Sequence, residues 1–119
     1  MSLEISAIQL ADVEKARDVL APWIAPSPML RNAWLSQRYE CDFYLKLENM
    51  LPIGSFKIRG ATYKIASLSD EQRKKGVIAA SAGNHAQGVA WGARQTGCHA
   101  IIVMPKTAPL MKIQNTKAL

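Results

Sequence analysis

Residues 77–104 read VIAASAGNHAQGVAWGARQTGCHAIIVM, and this stretch decides the fold class. The short apolar run Val77–Ala80 is followed by a small polar loop, residues 81–83, and then by a helical stretch, Asn84–Thr96. A glycine ends that helix, and a second aliphatic run occupies residues 100–104. Parallel strands need a crossover connection of this length, usually a helix, and strands buried on both faces are nearly continuous apolar runs. The stretch therefore predicts two buried parallel strands joined by a helix, in an α/β fold with a parallel sheet and flanking helices.

The sequence before residue 77 predicts five more helices or strands. Apolar residues at helical spacing predict an amphipathic helix over residues 9–20 and a short helix over residues 32–38. Aromatic and aliphatic residues that alternate over residues 43–47 predict a strand. Ser55 is a good N-cap for a helix that reaches residue 68, and the charged stretch Asp70–Lys75 predicts a helix stopped by the glycine after it.

The composition is that of a globular protein with an excess of positive charge. Of 119 residues, 49% are hydrophobic and 20% charged, and the formal net charge is +6. This charge can attract anions of any kind, but a nucleic-acid surface would also need exposed aromatic residues among the basic ones. The aromatic residues here occur in apolar, core-like contexts, so we expect no nucleic-acid partner. Six of the chain's eight aromatic residues are meant: Trp23, Trp34, Tyr39, Phe43, Tyr44 and Trp91.

Cysteine usage and the start of the chain indicate a cytoplasmic protein. Cys41 and Cys98 are far apart and form no Cys-x-x-Cys pair, so neither a disulfide framework nor a zinc motif is predicted. His99 has no third ligand at metal spacing, and we expect no metal site. The first residues, Met-Ser-Leu-Glu-Ile, include an acidic residue and no long apolar run follows, so neither a secretory signal nor a membrane span is predicted.

The first candidate site is Gly54-Ser55-Phe56-Lys57-Ile58-Arg59-Gly60. It predicts that Lys57 lies in the first turn of a helix, where the helix dipole and the neighbouring Arg59 disfavour the ammonium form. Burial would disfavour it further, and the resulting neutral amine could form a Schiff base. On these features alone, the simpler interpretation that Lys57 points to water is favoured, as for most lysines.

The second candidate site is Ser81-Ala82-Gly83-Asn84-His85-Ala86-Gln87-Gly88, between the first strand and its helix. Free N–H groups at a helix start can bind a carboxylate or a phosphate, and Gly83 allows close approach. The Lys-Ser/Thr pair of a nucleotide-hydrolysing loop is absent, as is a dinucleotide fingerprint. His85 could instead bond its own loop. We interpret Gly88 and Gly92 as residues that let the helix pack closely on the sheet.

The two sites together with one further motif resemble the threonine dehydratase and serine racemase family. The further motif is Lys46-Leu47-Glu48-Asn49, and the resemblance runs from about Pro28 to the last residue. It implies a fold-type II pyridoxal-phosphate enzyme, similar to the tryptophan synthase β chain. Within the family the chain is similar to the biosynthetic threonine dehydratases, which convert L-threonine to 2-oxobutanoate and ammonia as the first step of isoleucine biosynthesis.

The resemblance also implies roles for individual residues. Lys57 would hold pyridoxal phosphate covalently and remove the α-proton of the substrate, and Phe56 would lie against the cofactor ring. Asn84 would bond the phenolic oxygen of the cofactor. The substrate carboxylate would be bound by the loop residues Ser81, Gly83, Asn84 and His85.

The resemblance leaves three function classes open: a threonine dehydratase, a serine dehydratase or racemase, and a non-catalytic fragment. Racemases of the family have a serine where this chain has Ala82, which carries no acid or base, so dehydration is favoured. Leu51-Pro52-Ile53 departs from the family, which commonly has a glutamine there, and the shape of this turn is left open.

The resemblance further implies that the chain is an amino-terminal piece of a homo-oligomeric enzyme. Residues 1–70 would belong to a large cofactor domain and residues 71–119 would begin a small α/β domain. The glycine-rich phosphate loop and the partner of the pyridine nitrogen would follow Leu119. We therefore expect the isolated chain to be inactive, to bind the cofactor weakly and to associate through its open sheet edge.

Overall fold

A computed structural model describes residues 7–119. The first residues, on which the absence of a leader was predicted and with which the predicted large domain begins, lie outside this range. The described chain contains helices and short strands in alternation. In chain order they are α1 (Leu10–Leu20), β1 (Met29–Arg31), α2 (Ala33–Tyr39), β2 (Tyr44–Lys46), a 3-10 helix (Glu48–Met50), α3 (Lys57–Ala66), α4 (Asp70–Lys75), β3 (Val77–Ala80), α5 (Asn84–Thr96), β4 (Ala100–Val103) and α6 (Leu110–Lys117).

The parallel pair predicted from residues 77–104 is confirmed. β3 and β4 are hydrogen-bonded in parallel, with Val77 opposite Ala100 and Ala80 opposite Val103, and α5 connects them. Gly97 ends α5 in the left-handed conformation, with a φ of 65°, which is why a glycine stands there. The α/β fold class is therefore correct.

The predicted start of α3 is wrong by one residue. Ser55 was expected to be the N-cap, but α3 begins at Lys57 with Phe56 as its N-cap. Ser55 lies inside the preceding turn, where its Oγ accepts a hydrogen bond from the Lys57 N–H at 3.3 Å. Gly54 has a φ of 66°, and this turn delays the helix. The helix also ends at Ala66, before residue 68.

A small antiparallel ribbon was only half predicted. The strand expected at residues 43–47 is β2, but its partner β1 was missed. β1 has three residues, all of them exposed, and so lacks the alternation that marks a half-buried strand. The ribbon brings the segment before Met29 next to the end of β2, where Leu47 N–H bonds the carbonyl of Pro28 at 2.9 Å.

Two buried apolar clusters meet on α3. Ile58, which is fully buried, joins the first cluster, and Ile65 joins the second. The first cluster consists of Leu20, Ile24, Leu51, Ile53 and Ile58, with Trp23, Tyr63, Trp91 and Leu119 against it. The second consists of Ala61, Ile65, Val89, Ala93 and Cys98, with Val77, Ala79, Ala100 and Ile102 against it.

The two strands are partly buried on one face and exposed on the other, in contrast to the prediction that both faces are buried. We call the other side the outer face, and it consists of Ile78, Ala80, Ile101 and Val103. Ile78 is 71% exposed and Ile101 is 51% exposed. Within residues 7–119, helices pack on the inner face and nothing covers the outer one.

The predicted burial of several aromatic residues is also wrong. Trp34, Tyr39 and Tyr44 are exposed, because α2 and the β1–β2 ribbon lie beside the core clusters and contribute little to them. Trp23 and Trp91 do pack against the first cluster. No helix among residues 7–119 combines the length and apolar character needed to cross a membrane.

Candidate cofactor site

Lys57 is the first residue of α3, as expected, but its side chain is exposed rather than buried. Its Nζ lies 5.2 Å from the centroid of the Phe56 ring, which is itself 59% exposed. No carboxylate among the described residues pairs with this amine. A position at a helix start and burial were both expected to act on Lys57. The structure shows the first but not the second.

The charge of Arg59, which was also expected to act on Lys57, is paired with a carboxylate instead. Arg59 forms two hydrogen bonds with the carboxylate of Glu48, at 2.8 Å from Nε and 3.1 Å from Nη2. The Ser27 hydroxyl donates a third, at 2.5 Å. These bonds, that of Arg59 foremost, outweigh burial and hold the pKa of Glu48 below its usual range. Glu48 therefore balances the charge that was expected to act on Lys57.

The loop before α5 presents donors to an open space. The Ser81 Oγ accepts a hydrogen bond from the Gly83 N–H at 3.2 Å, and the Ser81 N–H bonds the carbonyl of Val103 at 3.0 Å. Within residues 7–119, the N–H groups of Asn84 and His85 have no acceptor, and both side chains are exposed. A Cβ on Gly83 would meet no atom within 4 Å. This helix start therefore leaves donors free, and its binding of an anion stays a prediction.

Gly88 brings the two candidate sites together. A Cβ at this position would lie 3.0 Å from the carbonyl oxygen of Lys57 and 3.3 Å from the Cβ of Ala61. At Gly92 it would lie 2.9 Å from the Cα of Thr62. Both glycines thus allow close packing, as interpreted, but they face α3 and not the sheet. Gly88 lies one turn after Asn84, and His85 lines the same cleft as Lys57, so the start of α5 lies near the start of α3.

An open cleft of about 530 Å³ lies beside Lys57, between α3, β3 and α5. Phe56, Lys57 and His85 line it, whereas Ser81, Gly83 and Asn84 do not. The structure thus brings three of the predicted site residues into one cleft, and the other three lie just outside it on the adjoining loop. Lys64, two turns after Lys57 on α3, also lines the cleft and was not singled out. Its spacing of seven residues from Lys57 places both lysines on one face of the helix.

The Glu48 interactions were missed as well. The sequence showed Lys46-Leu47-Glu48-Asn49 only as part of the resemblance and assigned Glu48 no acid–base partner. Arg59 is eleven residues away along the chain, and Ser27 is twenty-one residues away, so no local spacing connects them. No group of three or more potential metal-ligating side chains occurs within residues 7–119.

The residues present fit a small anionic aldehyde cofactor. The cleft volume is within the range of roughly 300–1,000 Å³ that small-molecule sites occupy. A lysine amine without a carboxylate partner is available for a covalent bond, and Phe56 offers an aromatic surface beside it. The free N–H groups at the start of α5 suit a phosphate or a carboxylate.

Comparison with known proteins agrees with this chemistry. Residues 20–119 match the model of the pyridoxal-phosphate dependent enzyme family. The chain is 52% identical over 111 residues to the L-threonine dehydratase catabolic TdcB of Staphylococcus aureus strain N315, which covers 92% of this chain and 32% of that protein.

Solved structures of related enzymes have the same fold. Maize serine racemase superposes with a TM-score of 0.89 at 35% identity, over 95% of this chain and 34% of that one. The processed threonine deaminase isoform 2 of Solanum lycopersicum gives a TM-score of 0.79 at 40% identity, over 95% of this chain and 32% of that one. The chain spans about a third of the length of the curated relatives it matches. With the family match over residues 20–119, these likenesses establish that the chain belongs to the pyridoxal-phosphate dependent enzymes of fold type II.

Proposed function

We propose that the full-length protein containing this chain dehydrates and deaminates L-threonine to 2-oxobutanoate and ammonia, with pyridoxal phosphate on Lys57. The observation that supports the proposal is the close packing of α5 on α3 at Gly88, where a Cβ would lie 3.0 Å from the Lys57 carbonyl oxygen, so that the lysine lies near the open start of α5. The 52% identity to a protein named L-threonine dehydratase supports the substrate.

The residues of the chain would divide the work as follows. Lys57 Nζ would bind the cofactor and, once freed by the substrate, accept the α-proton. Phe56 would lie against the cofactor ring, and Asn84 would donate to its phenolic oxygen. The loop residues Ser81, Gly83 and His85 would hold the substrate carboxylate, together with the free N–H groups. Pyridoxal phosphate, when bound, supplies the electron sink that makes loss of the α-proton possible.

Borohydride reduction followed by peptide mapping tests the lysine. We expect the full-length protein to carry the reduced cofactor on Lys57, and a Lys57→Ala variant to carry none. Lys64→Ala is the matched control, because Lys64 lines the same cleft on the same helix. Labelling of Lys64 or of any other lysine in the wild-type protein would contradict the assignment.

The likeness to serine racemase, with a TM-score of 0.89, favours one alternative. The full-length protein would then act on serine, by dehydration or racemisation. Ala82, which has no side-chain acid or base, supports dehydration. We expect L-threonine and L-serine to give 2-oxo acids, with far less D-serine than 2-oxo acid from L-serine, and chiral chromatography measures the ratio. Comparable amounts of D-serine would favour the racemase.

The pathway is the finer part of the proposal. We propose a biosynthetic role, the first step towards isoleucine, in a cytoplasmic homo-oligomer, although the bacterial relative described above is named catabolic. The full-length gene should restore growth without isoleucine to a strain that lacks its own threonine dehydratase. Sedimentation analysis of the purified protein tests the oligomeric state.

A further inference from the structure

The position of Lys57 depends on its backbone. Its amine has no hydrogen bond or ion pair with the described residues, and it lies 5.2 Å from the centroid of the exposed Phe56 ring. The backbone, in contrast, is held by the Ser55 hydroxyl and by the close approach of Gly88. Any further group that fixes the start of α3 therefore also fixes the point from which the amine reaches the cofactor.

Glu48 is the centre of a hydrogen-bond network at the start of α3. Its carboxylate accepts two hydrogen bonds from Arg59 and one from the Ser27 hydroxyl. The Lys46 Nζ donates to the Ser27 carbonyl oxygen at 2.6 Å, which ties the end of β2 to the same network. The side chains of Arg59 and Glu48 are 32% and 22% exposed, so solvent screens this pair less than an exposed pair.

This network closes the loop that leads into Lys57. The loop starts at Glu48. Arg59 lies in the first turn of α3, two residues after Lys57. Between them, Leu51 and Ile53 are each only 8% exposed and pack with the first apolar cluster. The loop is thus tied at its ends by charged hydrogen bonds and held in its middle by apolar burial.

We propose that Glu48 is a positioning residue for Lys57, acting through the paired hydrogen bonds to Arg59 that fix the first turn of α3. The inference rests on the proposed function, because it gives Lys57 its role. Arg59 is suited to this task since its planar guanidinium binds a carboxylate in a defined orientation. A neutral Glu48→Gln side chain has nearly the same shape but loses the charge and one acceptor.

The test measures cofactor affinity, apart from stability, in the full-length protein. Apo-protein is titrated with pyridoxal phosphate at a temperature where every variant is folded, and the absorbance of the lysine adduct gives the Kd. We expect Glu48→Gln to raise the Kd about tenfold, the effect of losing a hydrogen bond to a charged group. Asp42→Asn is the matched control, because it breaks the exposed Arg31–Asp42 pair at 2.9 Å and should leave the Kd unchanged.

Two further variants keep the test decisive. Arg59→Lys preserves the charge but offers one hydrogen bond where the guanidinium offers two, so it should raise the Kd less than Glu48→Gln does. If the Glu48→Gln variant does not fold, Arg59→Lys takes its place in the test. A double-mutant cycle uses Glu48→Gln, Arg59→Gln and the variant with both substitutions. The double variant should bind the cofactor no more weakly than the weaker-binding of the two single variants.

The outcomes separate this inference from the proposed function. If the wild-type cofactor is on Lys57 and both Glu48→Gln and Arg59→Lys lower the melting temperature without changing the Kd, Glu48 is only structural and the inference is overturned. If borohydride labels another lysine in the wild-type protein, the proposed function fails and the inference fails with it.

Discussion

The interface between α3 and α5 and the outer face of the β3–β4 sheet are both rich in apolar residues, yet only the interface is buried. Ile65 on α3 is 3% exposed and belongs to one cluster with Val89 and Ala93 of α5, whereas Ile78 on the outer face is 71% exposed. At the interface, Gly88 and Gly92 let the backbones approach closely. The difference shows that an apolar sequence pattern predicts which face of an element can be buried. Whether that face is buried depends on whether another element packs on it.

The largest difference in the free energy of unfolding should come from replacing an isoleucine by alanine in each of the two regions. In the 119-residue polypeptide, Ile65→Ala should lower the free energy of unfolding by about 3 kcal/mol, because it leaves a cavity in the cluster shared by α3 and α5. Ile78→Ala should change it by less than about 0.5 kcal/mol, since its side chain is mostly in water. Urea unfolding measures both, and equal losses would contradict the comparison. A larger loss for Ile78→Ala in the full-length protein would show that its outer face is covered there.

The next effect tests the closeness of the interface. Gly92→Ala should lower the free energy of unfolding by about 2 kcal/mol, because its Cβ would lie 2.8 Å from the Thr62 Oγ1 and 2.9 Å from the Thr62 Cα. Gly60→Ala is the control on the facing helix, where a Cβ meets nothing within 4 Å. It should raise the stability by about 0.5–1 kcal/mol through helix propensity. Two changes of the same sign would contradict the packing at Gly92.

The features predicted correctly from the sequence have local causes. α4 begins with a capping box of Ser69 and Gln72 and ends at Gly76, whose φ is 83°, so short-range residue chemistry sets its bounds. α5 is likewise bounded by its loop and by Gly97. The helix-start position of Lys57 and the open donors before α5 followed from the same kind of signal.

The features that were missed depend on contacts between distant segments. β1 exists because it pairs with β2, and nothing within Met29–Arg31 indicates that pairing. Arg59 was expected to act on Lys57, but the folded chain places Glu48 against it. Gly88 was expected to face the sheet, yet its α3 neighbour could be identified only once both helices were positioned.

A smaller effect on stability should accompany a specific effect on the site. Gly88→Ala should lower the free energy of unfolding by about 1 kcal/mol, less than Gly92→Ala, because its nearest contact is 3.0 Å and not 2.8 Å. Since that contact is the Lys57 carbonyl, Gly88→Ala should weaken cofactor binding in the full-length protein more than Gly92→Ala does. Absorbance titration with pyridoxal phosphate compares the two, and the opposite order would show that Gly88 has no particular influence on Lys57.

The last effect concerns the charged network at the start of α3 and depends on pH. The hydrogen bonds from Arg59 lower the pKa of Glu48 in the folded state relative to the unfolded value of about 4.3. A group of this kind stabilises the fold fully above its unfolded pKa, and the contribution is lost as the pH falls through the lowered folded pKa.

Glu48→Gln should therefore lower the free energy of unfolding by about 1 kcal/mol at pH 7, the usual net value of a hydrogen bond in a protein. The gap from the wild type should begin to narrow as the pH falls below about 4.3, where the unfolded carboxylate takes up a proton, and should close as the pH falls through the lowered pKa of the folded carboxylate. Urea unfolding at pH 7 and at about pH 3 measures the two gaps. Asp42→Asn provides the control, since the Arg31–Asp42 pair is largely exposed and exposed pairs contribute little. A gap for Glu48→Gln that stays constant over this range would mean that the carboxylate charge does not hold the start of α3, and the network would then stabilise the fold only by packing.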